Sequence, residues 1–448
     1  MNFKMIVFLF CLPLILSCSV EQPKQEDQLK TLFHNTYKVY QLMRHDNGLY
    51  YDYVHTEGGK GAGSSASIGM GLVAMCVGHE MGWEPKAEEL IIQTLKSVLG
   101  EGAEGVALDR NAENCFIHFF DIETGAPVGS NYSPIDTDIM IAGALFAKQY
   151  FSDNPTIAYY ADKMYSMVNH DIFIGDPAKG EIVLNLTKEG VPSPGRTLPY
   201  NEYMMVAWLA MNQEGNNGQA AKLWERYYAK TSQMPATTYT SKKGEQFQVL
   251  TDVPNHFTSN FTFMFNYLFV HDFSNQEQYQ EAMRQAALAD RAWWHDRTEL
   301  EEKGKQDYEW GTTAGMGLKL RNGEIQEGYT VDRICPNENI NTQWDQNIGR
   351  NVAPSALAGY ASVLPDLVRA DLLKMLQDER KIGQITLPKK EGISTGDEMV
   401  LWKYSYSDLN WKPKKIEGVD YACMLMGLAS LPEFLGPEFF NQHNNFFE

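Results

Sequence analysis

The chain has 448 residues, long for one average domain but within the range of a single barrel or toroid. It carries 57 Asp and Glu against 38 Lys and Arg, a formal charge of -19. That balance excludes a nucleic-acid-binding or anionic-lipid-binding surface, each of which needs clustered Lys and Arg, and it suits a neutral ligand.

The N-terminus predicts export. Lys4 supplies a positive start, and Met5 to Leu16 is an apolar run too short to span a bilayer, which takes ~20 residues. The run ends in Ile15-Leu16-Ser17-Cys18, a bacterial lipobox pattern in which Cys18 would be lipidated and left at the mature N-terminus. An ordinary cleaved signal peptide is the alternative. The expected organisation is a leader over 1–17, a polar, proline-containing tether over 18–28 and a single domain over 29–448. The expected location is the cell envelope, with one lipid as the only membrane contact. Cys76, Cys115, Cys335 and Cys423 are scattered, with no C-x-x-C and no paired His, so no metal site is expected and a disulfide stays open.

Helical patterning recurs from Leu29 onward. Leu29, Leu32, Phe33, Tyr37 and Tyr40 form one stripe, and Ile68 to Met81 reads as a buried helix. Helices follow over Glu88 to Leu99, Asp136 to Phe151, Ile157 to Val168, Glu202 to Met211, Ala220 to Lys230 and Phe257 to Val270. Gln276 to His295, Ala353 to Val363, Asp366 to Arg380 and Val419 to Leu431 complete the series. About twelve helices in six pairs predict an all-α (α/α)6 toroid, with apolar inner and amphipathic outer helices. Long loops with short β-hairpins should gather at one end. The stretches Gly100 to Pro134, Asp171 to Tyr200, Thr231 to Asn255, Glu299 to Val352 and Lys381 to Glu417 are those loops, and connections so long are usually functional.

The loops carry the most informative motifs. Cys115-Phe116-Ile117-His118-Phe119-Phe120-Asp121-Ile122-Glu123-Thr124-Gly125 is followed by Ser133-Pro134-Ile135-Asp136-Thr137-Asp138. Tyr200-Asn201-Glu202-Tyr203, Trp310-Gly311-Thr312-Thr313-Ala314, Ala353-Pro354-Ser355-Ala356 and Tyr406-Ser407-Asp408-Leu409-Asn410 come later in order. The set resembles the glycoamylase-like family, which includes the bacterial endo-β-1,2-glucanases of glycoside hydrolase family 144, over nearly the whole mature chain. One segment departs: the family's Tyr-Ser-His-x-Trp stands here as Asn255-His256-Phe257-Thr258-Ser259-Asn260-Phe261. The resemblance implies an inverting glycoside hydrolase of a glucan, with β-1,2-glucan favoured, needing no cofactor and acting as a monomer on an oligo- or polysaccharide.

Cleaving a glycosidic bond takes one carboxylic acid to protonate the leaving oxygen and a second carboxylate to activate water or attack carbon. Glu202, opening an apolar helix, is the expected acid, although a first-turn glutamate also complements a helix dipole. Asp136 and Asp408 are the other catalytic candidates. Ser133-Pro134-Ile135-Asp136 is also a capping-box variant, and Asp408 also fits an Asx-turn. Asp138 lies about 200° round the helix from Asp136, so the two cannot face the same way. Sugars need flat aromatic faces and polar side chains. The expected substrate contacts are Asp138, Tyr200, His256, Glu309, Trp310, Trp344, Tyr406 and Trp411, with Trp402 and Tyr404 in the same aromatic loops. His118 and Asp121 are read as holding their hairpin together. Two alternatives remain: a polysaccharide lyase or unsaturated-uronide hydrolase on the same toroid, which needs a basic cleft, and a non-catalytic glycan-binding lipoprotein, which needs no converging carboxylates.

Overall fold

The computed structural model describes residues 25–59, 61–197, 199–215, 218–252, 258–334 and 347–447. Its helices alternate between two characters, and sequence explains why. Helices α1 (Gln25–Met43), α3 (Ala87–Leu99), α5 (Pro155–Met167), α7 (Gln219–Tyr227), α10 (Glu277–His295) and α12 (Pro365–Gln377) bury one face and expose the other. Helices α2 (Ser65–Glu80), α4 (Pro134–Tyr150), α6 (Met204–Glu214), α8 (Phe261–Phe269), α11 (Pro354–Gly359) and α13 (Gly418–Ala429) are apolar nearly all round and buried over most of their length. A helix apolar all round must lie inside the protein. The twelve helical spans expected from periodicity all coincide with helices, the tenth shortened to α11 and continued by a 3-10 turn over Tyr360–Ser362. Two short helices, α9 (His271–Ser274) and α14 (Glu438–His443), add to them. Helix α13 packs on α2 and α1 as well as on α11, so the end of the chain returns to its beginning.

Glycine sets the closeness of the buried helices. A Cβ on Gly143 of α4 would stand 2.3 Å from the carbonyl oxygen of Gly69 on α2, and one on Gly69 would stand 2.2 Å from the carbonyl of Ile139. Backbone cannot yield as a side-chain tip can, so Gly143→Ala is expected to cost about 1–3 kcal/mol by overpacking. A fall in urea midpoint at unchanged m-value would show it; an unchanged midpoint would mean that the helices part freely.

The strands form two-stranded antiparallel sheets between helices. β1 (Tyr53–His55), β2 (Gly63–Ser64) and β3 (Phe119–Phe120) precede the hairpin of β4 (Ala236–Thr240) with β5 (Gln246–Leu250). A longer hairpin follows, β6 (Ala314–Arg321) with β7 (Glu324–Val331), then β8 (Asn351–Val352), β9 (Gln384–Thr386), β10 (Met399–Leu401), β11 (Tyr404–Ser405) and β12 (Lys415–Glu417). Two of the expected long connections, Thr231 to Asn255 and Glu299 to Val352, hold the hairpins β4–β5 and β6–β7. In β6–β7, Arg321 pairs with Glu324 across Asn322-Gly323, both at positive φ (54° and 82°), as a two-residue hairpin turn requires. The pairing that matters most for the site is long-range: β1 meets β12 with Tyr53 opposite Glu417.

Candidate functional site

The buried helices present acids at their N-termini. Ser133 caps α4, its hydroxyl accepting from the Asp136 amide at 3.4 Å, with Pro134 in the first turn. Glu417 is the residue before α13 and Asp420 lies in its first turn; Glu202 stands just before α6. The unsatisfied amides and partial positive charge of a helix start favour carboxylates there.

Asp136, Glu417 and Asp420 line one cavity of about 450 Å³ together with Asp52, Tyr53, His118, Phe119, Met316, Tyr329, Lys415 and Val419. The β1–β12 pairing carries Asp52 and Tyr53 to Glu417, and β6–β7 brings Met316 and Tyr329 over them. His118 stacks on Phe119 at 3.7 Å and holds Nε2 3.4 Å from Asp136 Oδ1, so it stands on the cavity wall instead of only bracing its hairpin. Asp121 does brace the turn, accepting from the amides of Glu123 and Thr124 and from the Thr124 hydroxyl. Tyr329 is 47 % exposed as a residue while its hydroxyl donates to Asp420 Oδ1 at 3.2 Å on the cavity wall. Lys415 Nζ sits 4.0 Å from the Tyr53 ring centroid.

Burial dominates the electrostatics. It pushes Asp52 up to about 6, with Asp136 adding repulsion and His118 and Lys415 opposing. Burial raises Asp420 to about 7, Lys403 opposing and Asp52 adding to it, and raises Glu417 to about 8 with repulsion from Asp420 and Asp52. Glu202, half-buried, accepts from the Thr262 hydroxyl at 3.5 Å. Its carboxyl is also raised, first by burial and then by Asp252, while Arg333 opposes; Arg333 itself pairs with Asp252 at 2.8 Å. Burial raises the Tyr203 hydroxyl, with its neighbour Glu202 and Asp136 adding to it.

These shifts give stability a sign. A carboxyl with a raised folded pKa binds its proton more tightly in the native state, so stability falls as pH rises through that pKa. Asp290, raised by burial to about 7, acts with Asp420 and Glu417. His34, His295 and His443, lowered mainly by burial, act the opposite way but only below about 6.5. Melting temperature is therefore expected to fall between about pH 6.5 and about pH 8.5. A rise over that window would mean that these carboxyls are ionised in the native state without penalty.

Several expected substrate contacts are instead structural. Asp138 is fully buried, Oδ1 2.9 Å from Nε2 of the equally buried His170. Tyr200 is buried with its hydroxyl 2.7 Å from that of Tyr279. Trp310 is buried, donates from Nε1 to Asp371 at 3.0 Å and stacks on Tyr360. Glu309 accepts from Tyr404 at 2.8 Å and from Tyr406 at 2.6 Å and pairs with Arg380 at 3.1 Å, so Glu309 and Tyr406 complete each other inside the protein. Trp402 too is buried, its Nε1 donating to the Lys415 carbonyl. Trp and Tyr under a loop behave as a satellite core once their N–H and O–H groups find partners.

Trp411 stays partly exposed, donating to Glu327 on β7 at 2.8 Å. Asp408 is exposed, its carboxylate accepting from the Asn410 amide at 2.9 Å in an Asx-turn; it is not on the wall of the carboxylate cavity. His256, Trp344 and Cys18 lie outside the described residues, as does Cys335. Cys76, Cys115 and Cys423 are free and buried. Among the described residues no cluster of His, Cys, Asp or Glu could hold a metal ion, and no helix is long and apolar enough to cross a membrane. The acids missed in the sequence, Glu417 and Asp420, had a signal: like Asp136 they open an apolar helix. Asp52, Tyr53 and Tyr329 had none.

Solved structures show the same architecture. The endo-β-1,2-glucanase of Chitinophaga pinensis, in complex with sophorotriose and glucose, superposes with a TM-score of 0.70 at 17% identity, covering 95% of this chain and 99% of that one. The chain has the fold of the endo-β-1,2-glucanases. A candidate glucoamylase from Bacteroides fragilis matches with a TM-score of 0.72 at 17% identity over 95% and 97% of the two chains. The β-1,2-glucanase of Parabacteroides distasonis gives 0.66 at 15% identity, over 95% of this chain and 60% of that one. No family model matches the chain, and neither does any curated protein sequence. At such identities the likeness speaks for the fold, and chemistry has to be argued from the site.

Proposed function

We propose that the protein is a glycoside hydrolase of a glucan or related oligosaccharide, with β-1,2-glucan as first substrate, built on six helical hairpins whose inner helices are α2, α4, α6, α8, α11 and α13. The observation that carries the reading is the carboxylate cavity lined by Tyr53 and Tyr329 and by Asp136 of α4, with the raised carboxyl of Glu202 just before α6, the helix that packs on α4. A raised pKa keeps a carboxylic acid protonated and able to donate to a leaving oxygen at neutral pH. Glu202 is then the general acid. Asp136, on the cavity wall beside His118, is the preferred second carboxylate, ahead of the exposed Asp408.

The carboxylate-lined cavity speaks against the uronate-cleaving alternatives. A uronate would meet Asp52, Asp136, Glu417 and Asp420, and Arg333 is already engaged by Asp252. Export and anchoring through Cys18 belong to the same proposal, supported by the short apolar run that ends in Leu16-Ser17-Cys18; radiolabelled lipid incorporation lost in Cys18→Ala is the check. For the mechanism, the reading requires inversion, in which water attacks from the face opposite the leaving group. Proton NMR of the first product from β-1,2-glucan should show the α-anomer at the new reducing end. First appearance of the β-anomer would replace inversion by retention through a covalent intermediate.

A further inference from the structure

The β6–β7 hairpin runs on past the cavity, and its register shows which side chains go with it. Met316 pairs with Tyr329, Leu318 with Glu327 and Leu320 with Ile325, so these six share one face. Met316 and Tyr329 line the cavity, so the same face leads from the cavity wall to the tip of the hairpin. Four residues of strand cover about 14 Å. The opposite face is packed against the protein. A Cβ on Gly315 would stand 3.2 Å from the Trp402 ring, and one on Gly317 would stand 2.7 Å from the side-chain nitrogen of Asn351.

Toward the tip, the first face keeps apolar side chains in solvent. Leu320 is 50 % exposed and Ile325 45 %, and with Tyr329 they are three of the eight large apolar side chains exposed among the described residues. Such residues scattered singly need no explanation, but a group of them on one face beside a cavity marks a binding surface. Between Tyr329 and Ile325 on β7, Glu327 accepts from Trp411 Nε1 at 2.8 Å, which fixes a partly exposed indole to this face. Trp411 comes from the loop before β12, the strand that carries Lys415 and Glu417 to the cavity. Two distant segments of chain therefore meet at one rim.

We propose that this face of β6–β7, together with Trp411, is an outer subsite for the sugar units of the glucan that lie beyond those in the cavity. This rests on the reading of the cavity as a glucan site, and it makes long chains the preferred substrate. The indole and the apolar side chains take the C–H faces of sugar rings. Glu327, held by Trp411 through Oε2, can accept a sugar hydroxyl at Oε1. It is the one charged side chain of the six, so the strip suits a neutral polymer better than an acidic one. The strip is too small for a protein partner. A two-stranded face of that length measures about 14 Å by 10 Å, far below the ~800 Å² that each side of a stable interface buries.

Trp411→Ala and Ile325→Ser in the full chain test it, each assayed on linear β-1,2-glucan and on a short β-1,2-linked oligosaccharide. The ratio of kcat/KM on the polymer to kcat/KM on the oligosaccharide is expected to fall about tenfold in Trp411→Ala, as for the loss of a large aromatic contact. In Ile325→Ser it should fall about threefold, as for the loss of about one buried methylene. Retardation in a native gel containing the polymer should weaken in the same order, and it needs no cleavage. A ratio and a retardation that stay at wild-type values in folded Trp411→Ala would overturn the proposal. Equal losses on polymer and oligosaccharide would overturn it too, since the indole would then belong to the cavity. So would a dimer, seen by sedimentation, that Leu320→Ser dissolves, because a second copy would then occupy the face. Retardation of the wild type that Trp411→Ala loses, with no glucan cleaved, would remove the hydrolase reading and keep the subsite. A wild type neither retarded nor active would remove both.

Discussion

Glu202→Gln is expected to reduce glucan hydrolysis by about 10²–10⁴-fold, the range that a general acid contributes. Gln keeps the shape of the side chain and can still accept from the Thr262 hydroxyl, so the fold and the melting temperature should change little. The wild-type rate should fall on the alkaline side as Glu202 loses its proton, at a pH above that of an ordinary glutamate, because burial and Asp252 both raise it. In Glu202→Gln that alkaline limb should vanish with the activity. A variant that kept most of its kcat would remove Glu202 from the chemistry and leave the proton to another raised carboxyl, with Glu417 and Asp420 the first to examine.

The second large effect is on stability. Asp290 of α10 is fully buried and accepts from the Asn260 amide group at 2.8 Å, the Thr312 amide at 3.0 Å and the Thr312 hydroxyl at 2.9 Å. Trp294 donates to that same Thr312 hydroxyl, and Tyr360 donates to Asn260 Oδ1 at 2.7 Å. One carboxyl therefore ties α10, the start of α8, the 310–314 segment and the turn after α11 together. Asp290→Ala leaves three buried donors without an acceptor and is expected to cost about 3–5 kcal/mol, a large share of the 5–15 kcal/mol typical of a domain. Asp290→Asn keeps the shape and one accepting oxygen, and should cost about 1–2 kcal/mol. Chemical denaturation of the two variants checks both figures; an Asp290→Ala protein as stable as the wild type would mean that the network is ornamental.

The helices were legible because their signal is local. The apolar stripe of Leu29 to Tyr40 and the unbroken run of Ile68 to Met81 each carry their own periodicity, and the first survives as the half-buried α1, the second as the enclosed α2. The β6–β7 hairpin was equally local, announced by Asn322-Gly323, but its strands are rich in glycine and charge and do not alternate cleanly. The cavity was not legible. It depends on Tyr53 meeting Glu417 across 364 positions of sequence, which no window of residues contains.

The aromatic loops misled for a different reason. Composition cannot tell a sugar platform from a small core beneath a loop. What separates them is whether the polar edge of the ring finds a partner inside the protein. Trp310 finds Asp371 and Tyr406 finds Glu309, so both turn inward; Tyr329 anchors its hydroxyl on Asp420 yet stays 47 % exposed as a residue. Acids behaved the same way. Asp136 and Asp138 are two residues apart on α4, and the angle between them sends one to the cavity wall and the other to His170.

The measurement that tests the central claim most directly is the release of new reducing ends from linear β-1,2-glucan by wild type and Glu202→Gln, beside β-1,3-, β-1,4- and α-glucans. The account predicts release by the wild type, greatest on β-1,2-glucan, and its loss in the folded variant. A folded wild-type protein that cleaves none of these glucans, or a Glu202→Gln protein that cleaves them as fast, would contradict it.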